Sequence, residues 1–144
     1  MNHTGDDTPP AAPPGFELQA DRGPFTAHNG PLYVRRSDEC VEHAFFALAR
    51  HCNGLGLVHG GMISAFLDGL LAGAVGRATR ATPVTMHLSV DFLAMARAGE
   101  WLIGEARITH AARDVAFAES GLKVGERPIA RASGVFRLMR PRRT

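Results

Sequence analysis

The sequence is poor in lysine, cysteine and two of the three aromatic types. Lys123 is the only lysine, Cys40 and Cys52 are the only cysteines, and tryptophan and tyrosine occur once each. Two cysteines make no dense disulfide framework, and no secretory apolar segment follows the first Met. A reduced, cytoplasmic setting is therefore expected. Uninterrupted apolar runs are short, and none approaches the ~20 residues of a membrane helix, so a soluble chain is expected. Excess charge is also missing. The formal net charge is +2 at pH 7, and no basic run is interleaved with aromatics, which argues against a nucleic-acid partner. With lysine scarce, the positive charge is carried by arginine, a planar group suited to bidentate phosphate contacts. The basic C-terminal RPRRT reads as a solvated tail.

What is present fits one ordinary globular domain of 144 residues, long enough for a single core. Residues 1–15, MNHTGDDTPPAAPPG, are rich in Pro, Gly and Asp and lack periodicity, which predicts a disordered leader. A domain over 16–140 and a basic tail over 141–144 follow. Phe16–Thr26 is expected to be a short helix or coil. GPLYVRR and Cys40–Leu48 have the composition of strands. The turn-rich ARHCNGLGL leads to His59-Gly60-Gly61, and an apolar segment then predicts a helix to about Arg77.

Beyond Pro83 the period becomes two. In TMHLSVDFL, Met86, Leu88, Val90 and Phe92 fall on one face and Thr85, His87, Ser89 and Asp91 on the other. Further strands are expected over Glu100–His110, Asp114–Val124 and Pro128–Leu138. Their inner faces are small: Gly104, Ala106, Ala116, Ala118, Ala130, Ala132 and Gly134. Small side chains let another element approach the backbone closely. The long helix is apolar nearly all round, as a helix exposed on one side is not. The predicted class is α+β, an antiparallel sheet curled around a buried central helix. That helix holds one carboxylate, Asp68, which is costly to bury without a partner or a use.

This architecture resembles the hotdog fold, and the motif residues resemble a family. Asn53 lies six residues before His59, and Asp68 nine after it. That spacing around His59-Gly60-Gly61 is similar to the signature of PaaI-like acyl-CoA thioesterases. The similarity extends through GPLYVRR, TMHLSVDFL, ARDVAFAES and IARASGVF, roughly Gly15–Leu138. Met95, in FLAMA, departs from the proline that many relatives carry. The resemblance implies hydrolysis of an acyl-CoA to a free acid and CoA without metal or redox cofactor. It also implies a homodimer or dimer of dimers with sites at the protomer interface.

Elementary chemistry supports the same roles. Gly60 and Gly61 begin the helix, where N–H groups lack intrahelical partners and the dipole is positive. A thioester carbonyl placed there meets a donor for the oxyanion of a tetrahedral intermediate. Asp68 would attack the carbonyl or deprotonate the attacking water. It lies eight residues beyond Gly60, about 12 Å along the helix axis. One chain therefore does not bring both groups to one thioester, whereas two antiparallel central helices do. Asn53 would hold water or the loop, and Thr85 lies where relatives often place a hydroxyl for the same purpose.

Plainer roles stay open beside these. His59 could serve only its own loop, and Asp68 could pair with an arginine across a dimer contact. Asn53 could be a turn residue and Thr85 a surface threonine. Arg77, Arg80 and Arg113 are candidates for CoA phosphates or are simply solvated. Ser64 in GMISA is not a nucleophile elbow. His51, Cys52 and His59 match no common zinc spacing. Two other functions remain as alternatives: a non-catalytic acyl-CoA-binding module, and a hydratase or dehydratase, whose histidine–acid motif is not found.

Overall fold

A computed structural model describes residues 7–141. In chain order the elements are β1 (Glu17–Leu18), α1 (Pro24–Asn29), β2 (Tyr33–Arg36), β3 (Val41–Phe46), α2 (Gly60–Thr79), β4 (Thr82–Phe92), β5 (Trp101–Ala111), β6 (Val115–Val124) and β7 (Arg127–Met139). The strands form one sheet in the order β1-β2-β3-β5-β6-β7-β4, with every neighbouring pair antiparallel. The long helix and the four late strands lie within a few residues of the positions expected from periodicity. Phe16–Thr26 differs: it holds the two-residue β1 and the start of α1, whose Pro24 occupies the first turn. Residues 1–6 of the expected leader and 142–144 of the tail lie outside the described residues. Residues 7–15 contain no helix or strand; the Asp7 carboxylate stands 3.4 Å from Arg50 Nε, and the Pro14 carbonyl accepts from Arg35.

The core lies between α2 and the inner face of the sheet. Met62, Ile63, Phe66, Leu67, Leu70, Leu71, Ala74 and Val75 of α2 are buried, and Phe45, Leu102, Ile129 and Phe136 of the sheet are fully so. The helix has 20 residues and contains an 18-residue window of mean hydropathy 1.2, enough by length and composition to cross a membrane. Here those apolar residues pack against the sheet, and the run is interrupted by Asp68 and Arg77.

The small inner-face residues determine how closely α2 approaches. A Cβ added at Gly104 would stand 2.8 Å from Leu70 Cδ2 and 2.8 Å from the Gly121 carbonyl oxygen. The second neighbour is backbone and cannot step aside. Gly104→Ala is therefore expected to cost about 1–3 kcal/mol through overpacking, read as a lower denaturation midpoint at unchanged m-value. A midpoint equal to wild type would mean that helix and sheet do not meet this tightly.

Candidate active site

The start of α2 is built by its own loop. His59 is the N-cap, and its Nδ1 accepts the Gly61 N–H at 2.7 Å, so its proton sits on Nε2. A Cβ at Gly61 would lie 2.8 Å from that Nδ1, so the second glycine makes room for the capping ring. The histidine thus has the loop role left open beside the catalytic one. Gly61 N–H is taken, which leaves the Gly60 and Met62 N–H groups as first-turn donors without an intrahelical acceptor. Gly60 faces Phe92, whose ring edge would be 3.3 Å from an added Cβ. The sequence signal that Phe92 borders this site was its place at the end of the strand after the motif helix.

Asn53 shapes the loop before the cap. Its side-chain oxygen accepts the N–H groups of Leu55 (2.9 Å) and Leu57 (3.2 Å), while its own N–H donates to the Leu57 carbonyl. The side-chain NH2 is the part left for a ligand. Val58 N–H donates to Ala96, Ala98 N–H to Gly56, and His59 N–H to the carbonyl of buried His51. The His51 ring accepts from Leu48 N–H and faces the Asn29 carbonyl at 2.7 Å, and burial lowers its pKa. His51 thus ties the loop together, and Cys52 packs at the margin of the core.

Asp68 is half-buried on α2, and Thr85 Oγ1 donates to its Oδ1 at 2.7 Å. The expected division of faces on β4 is corrected here. Thr85 pairs with Phe136, but the next partners are His87 with Val135 and Leu88 with Gly134, so Met86 is a bulge. An extra residue reverses the alternation. Thr85 therefore shares the inner face with Leu88, Val90 and Phe92, opposite the inward-facing Phe136 and Gly134, and Met86 is turned out to solvent. Without the bulge the hydroxyl would point away from the helix.

Not every candidate gathers here. Asp68 and Arg77 are nine residues apart, about two and a half helical turns, so they lie on opposite sides of α2. Arg80 ends the helix in the left-handed region at φ 58°, with its N–H on the Gly76 carbonyl. Arg113 lies in the turn between β5 and β6. Surface cavities of about 750, 530 and 340 Å³ are present, and none is lined by Asn53, His59, Gly60 or Asp68. Along one unbroken helix, Gly60 and Asp68 remain about 12 Å apart.

An antiparallel sheet wrapped on a helix, with a glycine pair at the helix start and a carboxylate on its flank, defines a hotdog-type protein. Residues 55–129 match the Thioesterase superfamily, and the chain belongs to that family. A Pseudomonas aeruginosa protein named as a candidate esterase, PA0474, is 37% identical over 131 residues, covering 88% of this chain and 96% of that one. A phenylacetic acid degradation-related protein from Ralstonia eutropha JMP134, titled as a candidate thioesterase, is 28% identical with a TM-score of 0.71. It covers 82% of this chain and 92% of its own. A thioesterase-type protein of Streptococcus pneumoniae TIGR4, solved with coenzyme A, is 18% identical with a TM-score of 0.70, covering 78% and 88%. The last likeness is one of fold. Within that superfamily the motif and the Ralstonia protein carry the resemblance to PaaI-like thioesterases.

Proposed function

We propose that the protein hydrolyses acyl-CoA thioesters at a site shared between two copies of the chain. The observation that carries this reading is the placement of Asp68: a carboxylate oriented by Thr85, on the helix whose start presents the Gly60 N–H, yet about 12 Å from it. In the proposed dimer, one copy's helix start polarises the thioester carbonyl and the partner's aspartate attacks it or activates water. The carbonyl oxygen takes up negative charge as the new C–O bond forms. Collapse of that intermediate breaks the C–S bond and releases CoA thiolate. When Asp68 activates water, the thiolate takes the proton that the carboxylate removed and the free acid leaves. When Asp68 attacks directly, the acyl group stays on it as a mixed anhydride, which water then hydrolyses to the free acid, restoring the carboxylate and supplying the proton for the thiolate.

Three things support the reading. The family is one of thioesterases. A structural neighbour holds coenzyme A in its crystal. The third is β4, an edge strand of 11 residues with no neighbour on its outer side among the described residues. Its Val84, Met86 and Phe92 are exposed, as are Leu93 and Met95 just beyond it. A long apolar edge is a template for pairing with a second chain.

The test is release of CoA thiol from a panel of aryl, medium-chain and hydroxylated acyl-CoA substrates by the purified protein. Turnover of at least one substrate is expected, lowered about a hundredfold or more in Asp68→Ala. Saturable binding of every substrate without thiol release would identify a binding module instead. Thr85→Val keeps the shape of the side chain and removes its donor. Hydrogen bonds to charged groups contribute about 1.5–3 kcal/mol, so kcat is expected to fall about tenfold or more at little-changed KM. Unchanged kcat would confine Thr85 to joining helix and strand.

A further inference from the structure

On the opposite side of α2 from Asp68, arginines from three segments lie near one another, and none is paired with a carboxylate among the described residues. Gly73 supplies the bare helix surface: a Cβ there would lie 3.1 Å from Arg77 Nη1 and 3.5 Å from Arg22 Nη1. Two guanidiniums thus converge over one glycine. Arg36 of β2 joins them from the sheet. Val34 lies opposite His43 in the ladder, and Arg36, two residues on from Val34, points to the same face. Among the described residues none of Arg22, Arg36 and Arg77 forms an ion pair with a carboxylate. Asp38 and Glu39 line a groove of about 340 Å³ beside Arg77 but do not pair with it.

Beneath this cluster lies His43, only 4% exposed, whose Nε2 has no hydrogen-bond partner among the described residues. Its Nδ1 faces Gln19 Oε1 at 3.4 Å. Burial, then the guanidiniums of Arg77, Arg22 and Arg36, pushes its pKa down to about 4. Arg77 is likewise lowered, by burial and then by Arg22 and Arg36. Like charges repel, and a buried imidazole nitrogen left unpaired costs free energy. One favourable position near the helix C-terminus accounts for a single cation, Arg77. It does not account for three cations and an orphaned ring.

We propose that Arg22 and Arg77, gathered over Gly73, form with Arg36 on the neighbouring strand and His43 at their base a binding site for a phosphoryl anion, separate from the thioester site. An anion of this kind supplies the missing charge and accepts from several guanidinium N–H groups at once, which is the geometry arginine favours. The phosphoryl group could belong to the nucleotide end of CoA or to a free phosphate compound; the chemistry of recognition is the same.

The probe is inorganic phosphate, titrated into the whole protein at constant ionic strength and followed by calorimetry. Saturable binding is expected, weakened about tenfold or more by Arg22→Gln or Arg77→Gln, each of which removes a charge-assisted contact. Arg137→Gln removes the same charge on exposed β7 and is expected to change the affinity less than twofold. Circular dichroism checks that each variant is folded, and Arg36→Gln stands in for any that is not. CoA and 3′-dephospho-CoA, compared in the same way, separate the two sources. Competition between CoA and phosphate assigns the site to the substrate's own nucleotide; independent binding assigns it to another phosphate compound. No saturable phosphate binding, or equal weakening by Arg137→Gln, would overturn the proposal. Because binding is read without turnover, this result stands apart from whether the protein hydrolyses thioesters.

Discussion

Asp68→Ala is expected to lower kcat about a hundredfold or more, the range of a positioned acid–base group, while KM and oligomeric state change little. Alanine is the residue best tolerated inside a helix, and Asp68 is only half-buried, so α2 should survive the change. The loss is then that of a carboxylate. Asp68→Asn sharpens the test, because its side-chain oxygen still accepts from Thr85 as Oδ1 does now. Equal losses in the two variants would show that charge or nucleophilicity is what the reaction needs. Loss in the alanine variant alone would reduce Asp68 to a tie between α2 and β4. Steady-state kinetics with size-exclusion chromatography on both variants decide between these outcomes.

The second large effect is a recovery of activity. If Gly60 and Asp68 serve one thioester from opposite copies, two inactive variants should rescue each other. Gly60→Pro removes the backbone donor, and Asp68→Ala removes the carboxylate. A mixed dimer carries one site with both defects and one site intact. Differently tagged chains, coexpressed and purified as heterodimers, are expected to show about half the wild-type activity per dimer, against losses of about a hundredfold in each parent. Gly60→Ala in parallel measures the steric part, since its Cβ would meet the Phe92 ring edge at 3.3 Å. Heterodimers that are folded, dimeric and as inactive as their parents would rule out the shared site.

The elements set by repeated local signals were legible in the sequence. The helix followed from its capped start and apolar run, and the late strands from alternation and turn residues. The close helix–sheet contact followed from the small residues Gly104 and Gly134. The 12 Å between Gly60 and Asp68 also needed only the helical rise. Features that depend on a single residue or on distant segments were not legible. One surplus residue at Met86 leaves the composition of β4 unchanged, so counting by twos placed Thr85 on the wrong face. The loop role of His59 was open from its place before the two glycines; the tertiary structure adds the atoms, Nδ1 accepting the Gly61 N–H. Arg22, Arg36 and Arg77 lie far apart in the chain, and only the tertiary fold brings them over His43.

The bulge at Met86 gives β4 two sections with separate constraints. Leu88 and Val90 answer to the packing of the core, and residue 85 to the carboxylate on α2. Drift in the apolar residues of the first section leaves the hydroxyl where it is, because the phase is reset between them. Met86 itself, turned to solvent in the isolated chain, can vary in kind so far as the hydroxyl is concerned. A change in the number of residues between Thr85 and Leu88 is another matter, since it would present a neighbour to Asp68 in place of the threonine. Freedom in composition and intolerance to length thus meet at one position, and an alignment that opened a gap there would misassign the residue facing Asp68.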